Sequence, residues 1–241
     1  MIELFSSSAA WISLLTLTLM EIVLGIDNVI FISIVSGKLP VEQRKRARAI
    51  GIFLALFIRI LLLMTISWII SLTFPVFTAF GNEISWRDII LMAGGLFLIG
   101  KSTSEIHQRI TEGEEEHLPN TKKGATFKSI VGQIIVLDVV FSFDSIITAV
   151  GLADHISIMV IAVLISMGIM FIFATPVSDF IHKNPTMKML ALSFLIMIGM
   201  TLIVEGLDVH LPKGYVYFAM AFSLLVETLN LRLRKKDAAR R

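Results

Sequence analysis

Four carboxylates stand inside long apolar segments of this chain. They form two pairs with the same spacing, Glu21 with Asp27 and Asp138 with Asp144. Asp and Glu side chains are too short to reach water from the middle of a bilayer, and an acid at that depth costs about 2.5 to 3.5 kcal/mol or more. Such acids are therefore expected to face a polar cavity, share protons or bind cations.

The composition places these acids in a membrane. Of the 241 residues, 56% are hydrophobic and only 17% are charged, whereas globular domains carry about 25% charged residues. Cys is absent, which excludes disulfides, thiolate metal ligands and cysteine nucleophiles. The formal charge of +2 does not indicate nucleic-acid binding.

Seven apolar runs are long enough to cross a bilayer, which takes about 20 residues. The predicted spans are 9–35, 49–73, 86–104, 129–151, 155–176, 188–207 and 213–232. Of the 21 Lys and Arg residues, 18 lie in or beside the segments that follow the first, third, fifth and seventh spans. Because basic loops stay in the cytoplasm, we predict an all-α polytopic membrane protein of one domain, with its N-terminus outside and its C-terminus inside.

The first and fourth spans repeat one pattern of polar residues. The aligned pairs are Glu21 with Asp138, Asp27 with Asp144, and Asn28 with Ser145. A weaker similarity joins residues 96–100 to 195–199. Units of three spans would enter the membrane from opposite sides, so we predict an inverted 3+3 repeat over about 9–104 and 129–207, with 213–232 as an extra helix. Such repeats place a substrate site near the midplane, where the halves meet.

The repeated acids predict a cation site made of oxygen ligands. Asn28 and Ser145 add neutral oxygens next to the acids, and this hard donor set suits Mg²⁺, Ca²⁺ or Mn²⁺ better than Zn²⁺ or Cu⁺. The acids of one pair lie about 120° apart on a helix. Each helix therefore either packs on both sides or unwinds locally, for which Gly25 and Ser142 are the candidate positions. The alternative, four acids that only pack, is disfavoured by their repetition.

Other polar residues receive less specific interpretations. Arg59 lies deep inside the second span, and a structural counter-ion to an acid is favoured over a mobile gate because an unpaired buried charge is costly. Glu205 and Glu227 stand near span ends and are predicted to be interfacial, and Pro176 is predicted to end a helix. The acidic cytoplasmic loop 105–128 is predicted to be a solvated linker, with an entry funnel or a metal sensor as the alternative.

Residues 21–31 and 138–151 resemble the paired signatures of the TerC family of integral membrane proteins, and residues 189–195 and 212–218 extend the resemblance. The resemblance implies seven helices, a bacterial inner-membrane location, membership of the lysine-exporter-like superfamily and efflux of divalent metal, chiefly Mn²⁺. The chain is expected to be a short form without the CBS domains of some relatives. The positions that match the family's acidic motifs are Glu21, Asp27, Asn28, Asp138, Asp144 and Ser145.

We therefore expect a secondary transporter, and not an enzyme, that exports Mn²⁺, or alternatively Ca²⁺, in exchange for protons. The expected partners are the lipid bilayer and the divalent ion, while the oligomeric state and contacts with secretion components stay open. An exporter of amino acids or organic cations is an alternative, with Phe31, Phe141 and Phe143 as apolar walls. A membrane scaffold that docks partners at 105–128 is another. An intramembrane aspartyl protease is disfavoured, since its sequence motifs are absent.

Overall fold

The structure, a computed structural model, describes residues 7–79, 82–112, 126–150, 155–209 and 211–238. Within these ranges some side chains lie outside the description, namely those of Asp27, Ala79, Asn82, Glu112, Asp144, Lys235, Asp237 and Ala238. The described part consists of eight helices and one β-hairpin. In chain order the elements are α1 (Ser8–Ser36), α2 (Val41–Met64), α3 (Ile66–Ser71), β1 (Pro75–Ala79), β2 (Asn82–Ser85), α4 (Trp86–Glu112), α5 (Phe127–Val150), α6 (Ile156–Lys183), α7 (Pro185–Gly206) and α8 (Lys213–Ala238).

All the described helices except α3 are long and apolar enough to cross a bilayer. The predicted all-α architecture with seven spans is therefore confirmed. The predicted orientation and the inverted repeat stay predictions.

The helix α2 begins at Val41, well before the predicted span 49–73. Its added turns are rich in Lys and Arg, which hydropathy excludes from a span although both are good helix formers. One of these residues, Arg48, is buried and donates a hydrogen bond to the Ser178 hydroxyl on α6 at 2.8 Å. Hydropathy therefore marks the apolar part of this helix and not its beginning.

The second predicted span is interrupted at Thr65, whose φ of −99° and ψ of 25° are not helical. The Thr65 hydroxyl donates to the carbonyl oxygens of Leu61 at 3.0 Å and Leu62 at 3.1 Å, and such local bonds compete with the helix. The short α3 follows, and then a hairpin in which Phe77 stands opposite Ile84. The sequence analysis did not predict this hairpin.

Two predicted helix ends are wrong. Pro176 lies inside α6 and does not end it, because neighbouring helices and local adjustments satisfy the backbone groups that a proline frees in a membrane-spanning helix. The helix α4 continues to Glu112, so the part of the predicted loop from 105 to 112 is helical. Its polar residues end the apolar span but not the helix. The remaining loop residues 113–125 lie outside the described residues.

The helices of the two predicted halves pack mainly across the halves. The most extensive interfaces join α4 to α7, α1 to α6 and α2 to α5. In the predicted repeat, α1 corresponds to α5, α2 to α6 and α4 to α7. The α1–α6 interface then corresponds to the α2–α5 interface, and the α4–α7 interface corresponds to itself, as expected if the two halves are related by a twofold axis. The helix α8 packs mainly against α7 and is the least buried of the candidate spans in the described part.

The helices α4 and α7 cross with their backbones in contact. A Cβ atom on Gly95 would lie 2.4 Å from the carbonyl oxygen of Gly199, and one on Gly199 would lie 2.8 Å from that of Gly95. Small residues at a crossing allow membrane helices to approach this closely. The two glycines therefore fix where α4 and α7 touch.

Local unwinding at Gly25 and Ser142 does not occur, because α1 and α5 are continuous through both positions. Gly25 instead makes room for α6, since a Cβ there would lie 2.3 Å from the Met170 Sδ. Ser142 stays helical, and its hydroxyl donates to the Asp138 carboxylate at 3.2 Å. Both helices pack on more than one side, which is the other arrangement expected for acids on different helix faces.

Candidate functional site

Arg59 on α2 lies between the acids of two other helices. Its Nη1 donates to the carboxylate of Glu21 on α1. On α5, Asp138 accepts from Arg59 Nη2 at 3.1 Å and from Nε at 3.4 Å. Glu21 and Asp138 are the residues that the sequence repeat aligns, so one guanidinium joins equivalent acids from the two predicted halves.

Two neutral side chains complete the coordination of Asp138. The Asn28 amide Nδ2 donates to Oδ1 at 3.3 Å, and the Ser142 hydroxyl donates to Oδ2 at 3.2 Å. We call Glu21, Asn28, Arg59, Asp138 and Ser142 the central cluster. None of its members is more than 5% exposed, so their mutual bonds replace the water that they lose.

The charges of the central cluster do not balance. Two carboxylates and one guanidinium carry a formal charge of −1 when both acids are ionised. A planar guanidinium binds carboxylates through several donors at once, and buried charges require such partners. The residual negative charge is suited to attract a further cation or a proton.

The two acids of the central cluster stand at the middle of their helices. Glu21 stands at the middle of α1, which runs from Ser8 to Ser36, and Asp138 stands at the middle of α5, which runs from Phe127 to Val150. Because each helix is long enough to cross a bilayer, its middle is expected near the membrane midplane.

The structure brings together part of the predicted metal site. Glu21, Asn28 and Asp138 meet in the central cluster, while the Ser145 hydroxyl lies nearby and donates to the Ser142 carbonyl at 3.3 Å. Arg59 occupies the position that the counter-ion interpretation predicts, between two of the four acids.

The other half of the predicted carboxylate set cannot be placed in this way. Asp27 and Asp144 belong to α1 and α5, but their side chains lie outside the description. Among the described residues, no three His, Cys, Asp or Glu side chains are grouped closely enough to hold a metal ion. A metal site formed by four carboxylates therefore stays a prediction.

A small cavity adjoins the central cluster. It measures about 40 Å³ and is lined by Arg59 and by Phe141 and Ser145 of α5. Its other walls come from α1, α7 and α8. About 10 to 15 Å³ is enough to hold one water molecule, so the cavity has room for roughly two or three.

Glu205 also lines this cavity and is buried within the protein, while its predicted interfacial depth stays a prediction. The residue is only 7% exposed, and its carboxylate lies 3.6 Å from the Lys213 Nζ. Linear position near a span end suggested contact with water, whereas α8 folds back and covers it. The sequence feature that could have indicated the burial of Glu205 is a lone acid on an otherwise apolar helical turn.

Comparison with known proteins decides the family. Residues 6–241 match the family described as integral membrane protein TerC family. The chain belongs to the TerC family. The resemblance drawn from residues 21–31 and 138–151 is thereby confirmed over nearly the whole sequence. No solved structure matches the chain.

Two relatives match this TerC protein over nearly their full length. A UPF0053 protein of Haemophilus influenzae is 52% identical over 235 residues, which cover 98% of this chain and 99% of the relative. The UPF0053 inner membrane protein YgdQ of Escherichia coli K12 is 54% identical over 228 residues, or 95% of each chain.

A third relative is longer. The UPF0053 inner membrane protein YoaE of E. coli K12 is 45% identical over 233 residues, which cover 97% of this chain but 45% of the relative. The names of these relatives state no substrate. With the seven apolar helices, they identify this TerC protein as a multi-pass protein of the bacterial inner membrane.

Proposed function

We propose that this TerC protein is a secondary transporter that exports a divalent metal cation, with Mn²⁺ as the first candidate, through the central cluster. One observation carries the proposal: Arg59 joins Glu21 and Asp138, two acids at equivalent repeat positions in the middle of different membrane helices. Intramembrane ionisable residues mark ion pathways. A site between inverted halves is the location from which alternating access serves both sides.

The donor chemistry favours a hard cation. The central cluster offers carboxylate, amide and hydroxyl oxygens, and the cavity beside it offers the Ser145 hydroxyl. Oxygen ligands of this kind suit Mg²⁺, Ca²⁺ and Mn²⁺. Asp27 and Asp144 belong to the proposed ligand set on the strength of the repeat. With them, four carboxylates and one guanidinium carry a formal charge of −3, which a divalent cation reduces to −1.

Arg59 acts in this proposal as the counter-ion of the site without substrate. It neutralises part of the charge of Glu21 and Asp138 while no metal is bound. A divalent cation that enters the site competes with the guanidinium for the same oxygens. Protons compete for those oxygens too, so proton exchange is the proposed source of energy for export.

The size of the cavity favours an ion over an organic substrate. Sites for drug-sized molecules measure about 300 to 1,000 Å³, while the cavity beside Arg59 measures about 40 Å³. A partly dehydrated metal ion fits that space, whereas the cavity of about 360 Å³ that shares Leu24, Lys213 and Tyr217 with it is not lined by Arg59. The aromatic side chain of Phe141 forms one wall and limits the space further.

The proposal is tested by Mn²⁺ flux in proteoliposomes, with a pH gradient as the driving force. We expect Asp138→Asn to lower the flux by about 10- to 100-fold, the range for loss of a group that supports a metal. Asp27→Asn and Asp144→Asn are expected to act in the same direction. When lysine replaces Mn²⁺ in the same assay, the wild type should show no lysine flux.

The matched control is Glu105→Gln. Glu105 is also a buried acid with a basic partner, Lys38, but it lies toward the C-terminal end of α4. The Mn²⁺ flux of Glu105→Gln should stay near that of the wild type. Unchanged flux in Asp138→Asn, or an equal loss in Glu105→Gln, contradicts the proposed site.

A further inference from the structure

Glu205 and Lys213 form an ion pair beside the cavity that the central cluster shares. Glu205 stands in the last turn of α7 and is 7% exposed. Lys213 is the first residue of α8, and its side chain is 28% exposed. Its Nζ lies 3.6 Å from the Glu205 Oε1. The pair therefore combines a buried carboxylate with a cation that reaches water.

The cavity connects this ion pair with the middle of the bundle. Its lining includes Arg59 and Ser145, which lie deep in α2 and α5, and also Glu205 and Lys213, which lie at the α7 and α8 ends. Thr201, one turn before Glu205, adds a hydroxyl group to the wall. A cation in the cavity thus meets a few oxygen atoms, among them those of Ser145, Thr201 and Glu205, in an otherwise largely apolar wall.

The chemistry of the pair explains how a cation enters or leaves there. A carboxylate with 7% exposure needs a positive partner, and the ammonium of Lys213 supplies one at the end of a long flexible stem. Lys side chains readily move their charged head into water while the stem stays on apolar surface. At equal distance a divalent ion attracts a carboxylate twice as strongly as an ammonium does, so it is able to replace Lys213.

We infer that Glu205 is a second cation-binding residue, at the α7–α8 mouth of the path, and that Lys213 is the tethered cation that the divalent substrate displaces. This inference rests on the proposed function, because it takes a divalent cation as the substrate. It assigns a role to α8, the helix outside the predicted repeat. The ligand is a hard divalent ion held by carboxylate and hydroxyl oxygens.

A second ion pair offers a control. Glu105 on α4 pairs with Lys38 and is 8% exposed, close to the value for Glu205. Neither residue lines the cavity beside Arg59. Removing the Glu105 charge breaks a comparable ion pair and leaves the proposed path intact.

The absence of Cys from the sequence permits a direct test. Thr201→Cys places one thiol on the cavity wall, and Val216→Cys places one on the α8 side of the same cavity. The measurement is the rate at which a small neutral thiol reagent modifies each variant in detergent, with increasing Mn²⁺. Bound Mn²⁺ is expected to slow the modification in both reporters.

Three further changes in the Val216→Cys background, which leaves the Thr201 hydroxyl in place, identify the ligand. Glu205→Gln should raise the Mn²⁺ concentration needed for half-protection by about 10- to 100-fold. Lys213→Gln should lower it, because the competing ammonium is gone. Glu105→Gln should leave it unchanged. Elution as a single symmetric species in gel filtration verifies that each variant is folded.

The outcomes separate this inference from the proposed function. The inference is overturned if neither reporter thiol is modified or if Mn²⁺ protects neither of them. It is also overturned if Glu205→Gln needs no more Mn²⁺ for half-protection than the wild type or Glu105→Gln does. The proposed function fails separately, in the flux assay, if Asp138→Asn transports normally. If the wild type transports no Mn²⁺ in the flux assay but Glu205→Gln still loses protection by Mn²⁺, the proposed function is refuted and Glu205 remains a cation-binding residue.

Discussion

Two groups of buried charges in this bundle differ in how well their charges are matched. In the central cluster, Arg59 serves both Glu21 and Asp138, and all three residues are at most 5% exposed. Toward the C-terminal end of α4, Lys38 serves Glu105 alone, and the lysine side chain is 26% exposed. The first group is short of positive charge and removed from water, while in the second the acid has a full positive partner and the lysine is partly hydrated.

The difference in charge distinguishes a group of residues that attracts a cation from a pair that holds two segments together. A buried excess of negative charge is neutralised by any cation that reaches it, so the central cluster retains affinity for one. The pair of Glu105 with Lys38 has less to offer, since solvent already screens both partners and neither residue lines the cavity beside Arg59, as Glu205 and Lys213 do.

The largest effect is expected for Arg59→Leu, which leaves two buried carboxylates without their shared cation. We expect a loss of about 3 to 5 kcal/mol in the free energy of unfolding, measured by SDS titration in mixed micelles at pH 7. Arg59→Lys should lie between, since an ammonium lacks the fork that spans both acids. A loss below about 1 kcal/mol, the range of exposed pairs, would contradict the comparison.

A smaller effect is expected for Asn28→Ala, which removes one donor to Asp138 but leaves Arg59 and Ser142 in place. The expected loss is about 1 to 2 kcal/mol, because a hydrogen bond to a charged group is stronger than a neutral one. The same SDS titration measures it. Asn230→Ala is the control, since Asn230 donates to Glu227 on the exposed helix α8 at 3.4 Å. Equal losses in the two variants contradict a special role for the buried amide.

The smallest effect is expected for Lys38→Gln. Its partner Glu105 also interacts with Lys101, so the carboxylate keeps a positive neighbour. We expect a loss of about 1 kcal/mol or less, and the loss should diminish further when salt is added. Thermal unfolding in detergent at two salt concentrations measures both. A loss as large as that of Arg59→Leu would show that the matching of charges does not decide the outcome.

The seven spans were predictable because the bilayer requires about 20 apolar residues for each crossing. Hydropathy does not register polar helical turns, so it missed the start of α2 at Val41 and the continuation of α4 to Glu112. Nor does it indicate hydrogen bonding by a single hydroxyl. The interruption at Thr65 and the hairpin after α3 were therefore not foreseen.

The central cluster was predictable in its members and not in its pairing. The repeat identified Glu21 and Asp138, and the cost of a lone buried charge indicated that Arg59 would face an acid. Which acids share Arg59 depends on how α1, α2 and α5 pack, and spacing along the chain does not contain that information. The burial of Glu205 was not foreseen for the same reason, because its partner Lys213 belongs to a helix that follows it in sequence.

The backbone contact of Gly95 with Gly199 limits how the halves can move. Sliding α4 along α7 would drive bulkier neighbours such as Leu98 or Ile203 into the opposite backbone, whereas tilting about the contact keeps it intact. In the transport proposed above, which requires one half to tilt against the other, this crossing would be the point about which α4 and α7 tilt.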